Sequence, residues 1–223
     1  GQVLLGIGGG LLACVQAERS TDGGGDGGGN DGGGALVLQA RAQMPHEISC
    51  VHVAPLADAA TAAARLCAVG LWTDISVQLL TVPALEPVLR QPLGGEIVPR
   101  SVMLHAFDGV DHLLCAMGDG TLYTFELRGG ALHGMTKVTL GTQPVVLSKF
   151  AHGGAEHVFA SCDRPAVLSA QGGRVALSSV NLQQVSHMCA FDSRDFPDCV
   201  VVADQETLTI GAIDDIQRLH VRS

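Results

Sequence analysis

Positive charge is scarce in this chain. Lys and Arg together number 13 against 22 Asp and Glu, a formal net charge of −9 at pH 7. A field of that sign repels polyanions, whose binding draws its affinity from clustered Lys and Arg, so direct contact with nucleic acid is disfavoured. No stretch approaches the ~20 uninterrupted apolar residues that a membrane-crossing helix needs, and no membrane partner is expected. The seven cysteines, Cys14, Cys50, Cys67, Cys115, Cys162, Cys189 and Cys199, include no Cys-x-x-Cys. No histidine pair has helical i, i+4 spacing or lies beside cysteine in a zinc pattern. No metal and no cofactor is therefore expected, and an odd set of thiols within apolar runs reads as free cysteines of a reducing compartment. No serine sits in a GxSxG elbow. Carboxylate pairs such as Asp108 and Asp111, or Asp214 and Asp215, fall at turns or at the end of a run and read as loop chemistry. With no nucleophile, base or metal set, the chain is not expected to be an enzyme.

What is present is apolar sequence with a repeat. Hydrophobic residues make up 47% and charged residues 16%, enough to bury a real core. Four segments share one theme, an apolar run, a tight polar break and a second alternating run. They are Leu66-Cys67-Ala68-Val69-Gly70, Leu114-Cys115-Ala116-Met117-Gly118, Val158-Phe159-Ala160-Ser161-Cys162-Asp163 and Val200-Val201-Val202-Ala203-Asp204. Gly70, Gly118, Cys162 and Asp204 follow one another at intervals of 48, 44 and 42 residues. Spacing of that size is what stacked four-stranded blades require. The fold class is all-β, a partial seven-bladed WD40-like β-propeller of four-stranded antiparallel sheets.

The N-terminal runs Val3 to Ile7 and Leu11 to Val15 repeat the theme around Gly8-Gly9-Gly10. Residues 21–34, almost all Gly with Asp and Asn, cannot recover their ordering entropy by burial and read as a flexible insertion. After it, Ala35 to Ala40 and Ile48 to Val53 read as strands, and Leu66 to Gly70, Ile75 to Val82 and Pro87 to Gln91 complete that blade. The next blade takes Val102 to Phe107, Leu113 to Met117, Thr121 to Leu127 and Lys137 to Leu140. A third takes Val145 to Phe150, Val158 to Ser161, Ala166 to Ser169 and Arg174 to Ser178, and a fourth begins at Gln184. Gly118-Asp119-Gly120, Arg128-Gly129-Gly130 and Gln171-Gly172-Gly173 mark hairpin turns. Only Ala57 to Ala64 has sequence suited to a turn of helix. A closed seven-bladed ring needs about 280 to 320 residues at this spacing, so 223 residues supply between four and five blades. The start at Gly1, inside an apolar run without Met or charged leader, suggests an excised fragment.

Two glycine-rich strings invite chemical readings and fail them. Gly6-Ile7-Gly8-Gly9-Gly10 puts Leu11 where GxGxxG needs its last glycine, so a β-turn is expected in place of a dinucleotide site. The tract from Gly23 to Asp31 lacks the periodic apolar residue of calcium-binding nonapeptide repeats. His152 and His157 flank a glycine-containing turn and are expected to be solvated. Trp72, the one tryptophan, follows Gly70-Leu71 in a turn where the other copies carry Gly120, Arg164 and Glu206. It reads as an exposed partner anchor or as a ring folded back over a neighbouring blade.

Several strings together are specific. Gly70-Leu71-Trp72-Thr73-Asp74-Ile75-Ser76, Leu93-Gly94-Gly95-Glu96-Ile97-Val98-Pro99-Arg100-Ser101, Lys137-Val138-Thr139-Leu140-Gly141-Thr142-Gln143-Pro144, Ser161-Cys162-Asp163-Arg164-Pro165 and Leu208-Thr209-Ile210-Gly211 followed by Ile213-Asp214 resemble the damaged-DNA-binding linker family of cullin-4 RING ubiquitin ligases. The resemblance runs from Gln2 to Arg222, is broken chiefly by the glycine-rich insertion, and is closer than that to the cleavage-factor and splicing-factor relatives. It implies three seven-bladed propellers, with residues 1–223 the C-terminal portion of the second, the one that docks the cullin-4 scaffold. Substrate receptors would be held by other propellers, and damaged DNA would be met only through a partner subunit, in nucleus and cytoplasm. It implies a non-enzymatic adaptor in ubiquitination, the DNA damage response and nucleotide excision repair. Trp72 and Glu47 match residues of the cullin-facing surface. Arg100 could add a charge-assisted hydrogen bond there or be a purely structural arginine. The alternative is a nucleic-acid-binding propeller of the cleavage-factor or splicing-factor type, which would need a basic stripe with exposed aromatics.

Overall fold

Two-residue turns set the chain into hairpins. Asp108-Gly109, Gly129-Gly130 and Gly153-Gly154 all have both residues at positive φ, the geometry whose twist matches that of two antiparallel strands. A computed structural model describes residues 2–19, 34–55, 65–172, 174–215 and 218–221. The proposed flexible insertion, up to residue 33, and the Ala57 to Ala64 segment lie outside the described residues.

Among the described residues nineteen strands form five antiparallel sheets in which chain neighbours are sheet neighbours. The first sheet holds β1 (Gln2–Ile7), β2 (Leu11–Arg19) and β3 (Gly34–Gln43). The second holds β4 (Ile48–Pro55), β5 (Arg65–Leu71), β6 (Ser76–Val82) and β7 (Pro87–Pro92). The third holds β8 (Pro99–Phe107), β9 (Val110–Met117), β10 (Thr121–Arg128) and β11 (Ala131–Thr139). The fourth holds β12 (Val146–His152), β13 (Ala155–Ser161), β14 (Ala166–Gln171) and β15 (Arg174–Ser179). The fifth holds β16 (His187–Phe191), β17 (Cys199–Ala203), β18 (Leu208–Asp215) and β19 (Arg218–Val221). The run Ala35 to Ala40 belongs to β3 and pairs with β2, so the second blade is complete from Ile48 to Pro92 without it.

The repeated segments fall on or end β5, β9, β13 and β17, the second strands of four successive blades. β5, β9 and β13 read as near-continuous apolar runs because both of their faces are covered. Leu113, Cys115 and Met117 of β9 pack against the second sheet with Leu66, Ala68, Val77 and Leu79. The alternate residues Leu114 and Ala116 pack against the fourth sheet with Val158, Ala160 and Leu168. Separate cores join the first sheet to the second through Leu12, Cys14, Cys67 and Val69, and the fourth to the fifth through Phe159, Val167, Val200 and Val202. From the second blade on, first strands meet first strands, with β4 against β8, β8 against β12 and β12 against β16. They make the inner wall, while β7, β11 and β15 are mostly exposed. Five cysteines are buried, Cys50 is half-buried, Cys189 is exposed, and all seven are free thiols. Burial pushes the Cys67 thiol up to about 11, away from reactivity.

Close approach of two blades is visible at Gly70. A Cβ there would stand 2.5 Å from Cys50 Sγ and 2.9 Å from Ser49 Oγ on β4 of the same sheet, and 3.2 Å from Pro99 Cγ at the start of the third sheet. Gly70→Ala is expected to destabilise the chain by about 1–3 kcal/mol, the usual cost of overpacking, read as a lower urea midpoint at unchanged m-value. An unchanged midpoint would show that the blades have slack at this point.

Candidate functional site

At one end of the barrel of strands, the turn between the second and third strands of each blade lies beside the connectors between blades. Backbone hydrogen bonds stitch the two sets together. Gly118 N–H donates to Val98 O at 3.0 Å and Leu140 N–H to Gly120 O at 2.9 Å in the third blade, and Val180 N–H to Pro165 O at 3.0 Å in the fourth. In the second blade Trp72 N–H donates to Glu47 O and Leu93 N–H to Ile75 O, both at 2.9 Å.

Trp72 stands on this rigid end with 56% of its surface exposed. It is therefore not folded over a neighbouring blade. The turn around it is held from both sides. Both carboxylate oxygens of Glu47 accept the Gly9 N–H of the first blade, at 2.9 and 3.2 Å. On the far side Ser76 Oγ, fully buried, donates to the Asp74 carboxylate at 2.9–3.0 Å. The Arg90 guanidinium pairs with the same carboxylate, and Arg90 Nε donates to Ser76 Oγ at 3.2 Å. His46 Nε2 is 3.7 Å from Asp74 Oδ2. Between them Ile75 sits at φ +48°, a conformation strained for a β-branched residue, with its side chain in the core shared by the second and third sheets.

The structure brings Trp72 and Glu47 into direct contact and places Arg100 one blade away at the same end. Arg100 is exposed at the start of β8, close to Gly118, where a Cβ would lie 3.6 Å from its Cγ. It makes no ion pair among the described residues. Sequence reading missed the Asp74, Ser76 and Arg90 clamp, whose one local signal is Asp two residues before Ser at a turn. The turn Gly8-Gly9-Gly10 joins β1 to β2, as expected of a hairpin, and its Gly9 N–H is spent on Glu47.

The opposite end gathers His152 and His157, which the sequence suggested were solvated, with His52 and His105. His157 is buried, with its ring 5.5 Å from that of Phe150, its register partner. The fifth sheet covers this face of β13, which is why the glycine turn did not leave His157 solvated. His152 is half-buried and its Nδ1 has no hydrogen-bond partner. His52 Nδ1 accepts the Leu104 N–H at 3.2 Å, and neither ring nitrogen of His105 has a partner. Burial first, then the nearby Lys149 ammonium, pushes both His52 and His105 down to about 4. The Glu156 carboxylate opposes this at His105 without offsetting it. Among the described residues no three His, Cys, Asp or Glu side chains converge as metal ligands.

A protein-family model described as the RSE1/DDB1/CPSF1 second beta-propeller matches residues 30–213. DNA damage-binding protein 1 of Oryza sativa subsp. japonica is 45% identical over 224 residues, covering 100% of this chain. DNA damage-binding protein 1a of Arabidopsis thaliana is 44% identical over 210 residues, 93% of this chain. The match spans 19% of the length of each relative. Among solved structures, BBS1N in a crystal structure with ARL6DN, soaked with lead, superposes with a TM-score of 0.56 at 19% identity, covering 95% of this chain and 64% of that one. At that identity the likeness is one of fold.

The buried histidines give the fold an acid limit. His52 and His105 stay neutral in the fold, whereas in the unfolded chain they take up protons as pH falls through their ordinary value of 6.5. The unfolded state therefore binds more protons between that value and about 4. Stability is full above pH 6.5 and falls as pH drops through this window. The melting temperature is expected to be lower at pH 4.5 than at pH 7.5, and the difference to shrink in His105→Leu. Equal pH slopes for the two proteins would show that His105 is not among the groups responsible.

Proposed function

Because the chain belongs to the RSE1/DDB1/CPSF1 second β-propeller family, we propose that it is a non-catalytic docking module of an adaptor protein, with the cullin-4 scaffold of a RING ubiquitin ligase as its partner. Trp72 carries this reading. It is an amphipathic ring with 56% exposure on a braced turn, the kind of residue that anchors protein interfaces at little rotamer cost. Glu47 and Arg100 share the same end of the propeller, Arg100 as an exposed cation for a partner carboxylate. In this proposal the chain is the later part of the second of three propellers. Substrate receptors bind elsewhere on the longer protein, and the assembly works in the nucleus and cytoplasm in ubiquitination and nucleotide excision repair.

Two observations support the part-ring reading. The outward face of the first sheet exposes Val3, Leu5, Ile7, Leu36 and Leu38 at 42–72%, more apolar surface than an isolated domain normally leaves open. The relatives are about five times longer than the match, which spans 19% of them. Damaged DNA enters this scheme through a partner subunit. The net charge of −9 fits that division and weighs against a propeller that grips nucleic acid itself.

Trp72→Ala is expected to weaken binding of the cullin-4 N-terminal helices by the costs typical of a hot-spot truncation, about 2 kcal/mol or more. The melting temperature should move by no more than a few degrees, because the ring is exposed. Binding unchanged by the substitution, measured by titration calorimetry, would sink the assignment of this face. A strong, salt-sensitive affinity of the unmodified chain for DNA in the same buffer would sink the division of labour.

A further inference from the structure

Glu47 would be taken for a partner contact on exposure and charge alone, yet its carboxylate is already engaged. Both oxygens accept the Gly9 N–H of the neighbouring blade, while its own carbonyl accepts the Trp72 N–H. Gly9 is itself fixed, its carbonyl accepting Gln43 Nε2 at 2.6 Å, and Gly10 O accepts the Met44 N–H at 2.8 Å. The connector from Met44 to Glu47 is thereby pinned to the first blade on one side and to the Trp72 turn on the other. Across the turn the Asp74 carboxylate is gripped by Arg90 and Ser76. Arg90 comes from β7, on the outer rim of the blade, where it pairs in register with Gln78. The turn between these two grips carries the strained Ile75, and a strained backbone persists only where its surroundings over-determine it.

We propose that Glu47 and Arg90 are positioning residues that hold the Trp72 turn in one conformation before a partner arrives, and that neither touches the partner. This rests on the docking role proposed for Trp72. Preorganisation of this kind raises affinity by removing the ordering cost from the binding step. A direct contact and a brace respond differently to conservative change. Glu47→Gln removes the charge a partner cation would need, yet its amide oxygen can still accept the Gly9 N–H. Glu47→Ala removes both.

Trp72 is the one tryptophan of the chain, so its fluorescence anisotropy decay reports the turn directly, with no partner present. Glu47→Ala and Arg90→Met are expected to raise its nanosecond mobility and to weaken cullin binding about 5- to 20-fold, while Glu47→Gln leaves both near the unmodified values. Unchanged Trp72 mobility in both Glu47→Ala and Arg90→Met overturns the bracing role, whatever the partner proves to be. Weakening by Glu47→Gln equal to that by Glu47→Ala, with Trp72 mobility unaltered, overturns it in favour of a direct contact. Should Trp72→Ala leave cullin binding intact, the docking reading fails while the mobility measurements still decide the brace. Circular dichroism of each variant separates a loosened turn from a lost fold, and Arg90, nearly half exposed at its side chain, tolerates replacement by an unbranched apolar chain.

Discussion

A sheet with two apolar faces cannot stand alone, and this constraint governs the molecule. In the second, third and fourth blades the second strand is a continuous run of small and medium apolar residues whose alternate members face the blade on one side and the blade on the other. Cohesion is therefore spread over several interblade cores of similar make-up, each formed by residues far apart in sequence. Two-residue turns supply hairpins of the third and fourth blades cheaply, but the burial that stabilises a blade comes from its neighbours. Where the described structure provides no neighbour, as on the outward face of the first sheet, the same alternation leaves Val3, Leu5 and Ile7 in the open.

The two ends of the stack use that scaffold differently. At one end, turns and connectors are tied by backbone hydrogen bonds and by carboxylates that accept main-chain N–H groups. Asp163 accepts the Thr142 hydroxyl at 2.9 Å and the N–H groups of Thr142 and Gln143 at 3.0–3.2 Å; burial pushes its pKa up, but these hydrogen bonds outweigh it and hold the carboxyl below its ordinary value. Glu47 does for the first and second blades what Asp163 does for the third and fourth. At the other end, histidines on inner and second strands are buried beside phenylalanines. Polar side chains thus serve as stitches at the first end and as packing at the second.

The blade repeat was legible because burial on both faces erases the usual alternation and leaves an apolar run that stands out at fixed spacing. Trp72 was legible for the opposite reason, as an aromatic residue in a turn where the other copies are polar or glycine. The placement of β3 was less so, since one alternating strand looks the same at the end of one blade or the start of the next, and only pairing with β2 decides it. His157 misled because a glycine turn argues for solvent, while the fifth sheet that covers it lies more than thirty residues further on. The clamp on Asp74 was invisible for a related reason. Arg90 reaches it only through the register of β6 with β7, and Glu47 reaches Gly9 across 38 residues and between two sheets.

Ile75 joins the Trp72 turn to the interblade core. Its backbone is strained, and its side chain is buried with Val77, Val102 and Leu104, residues of both the second and third sheets. The strain is offset only while those sheets are in contact, at a cost of order 1–3 kcal/mol that an open interface would no longer cover. The turn that carries the exposed ring and the core beneath it thus share a residue, Ile75, three positions after Trp72.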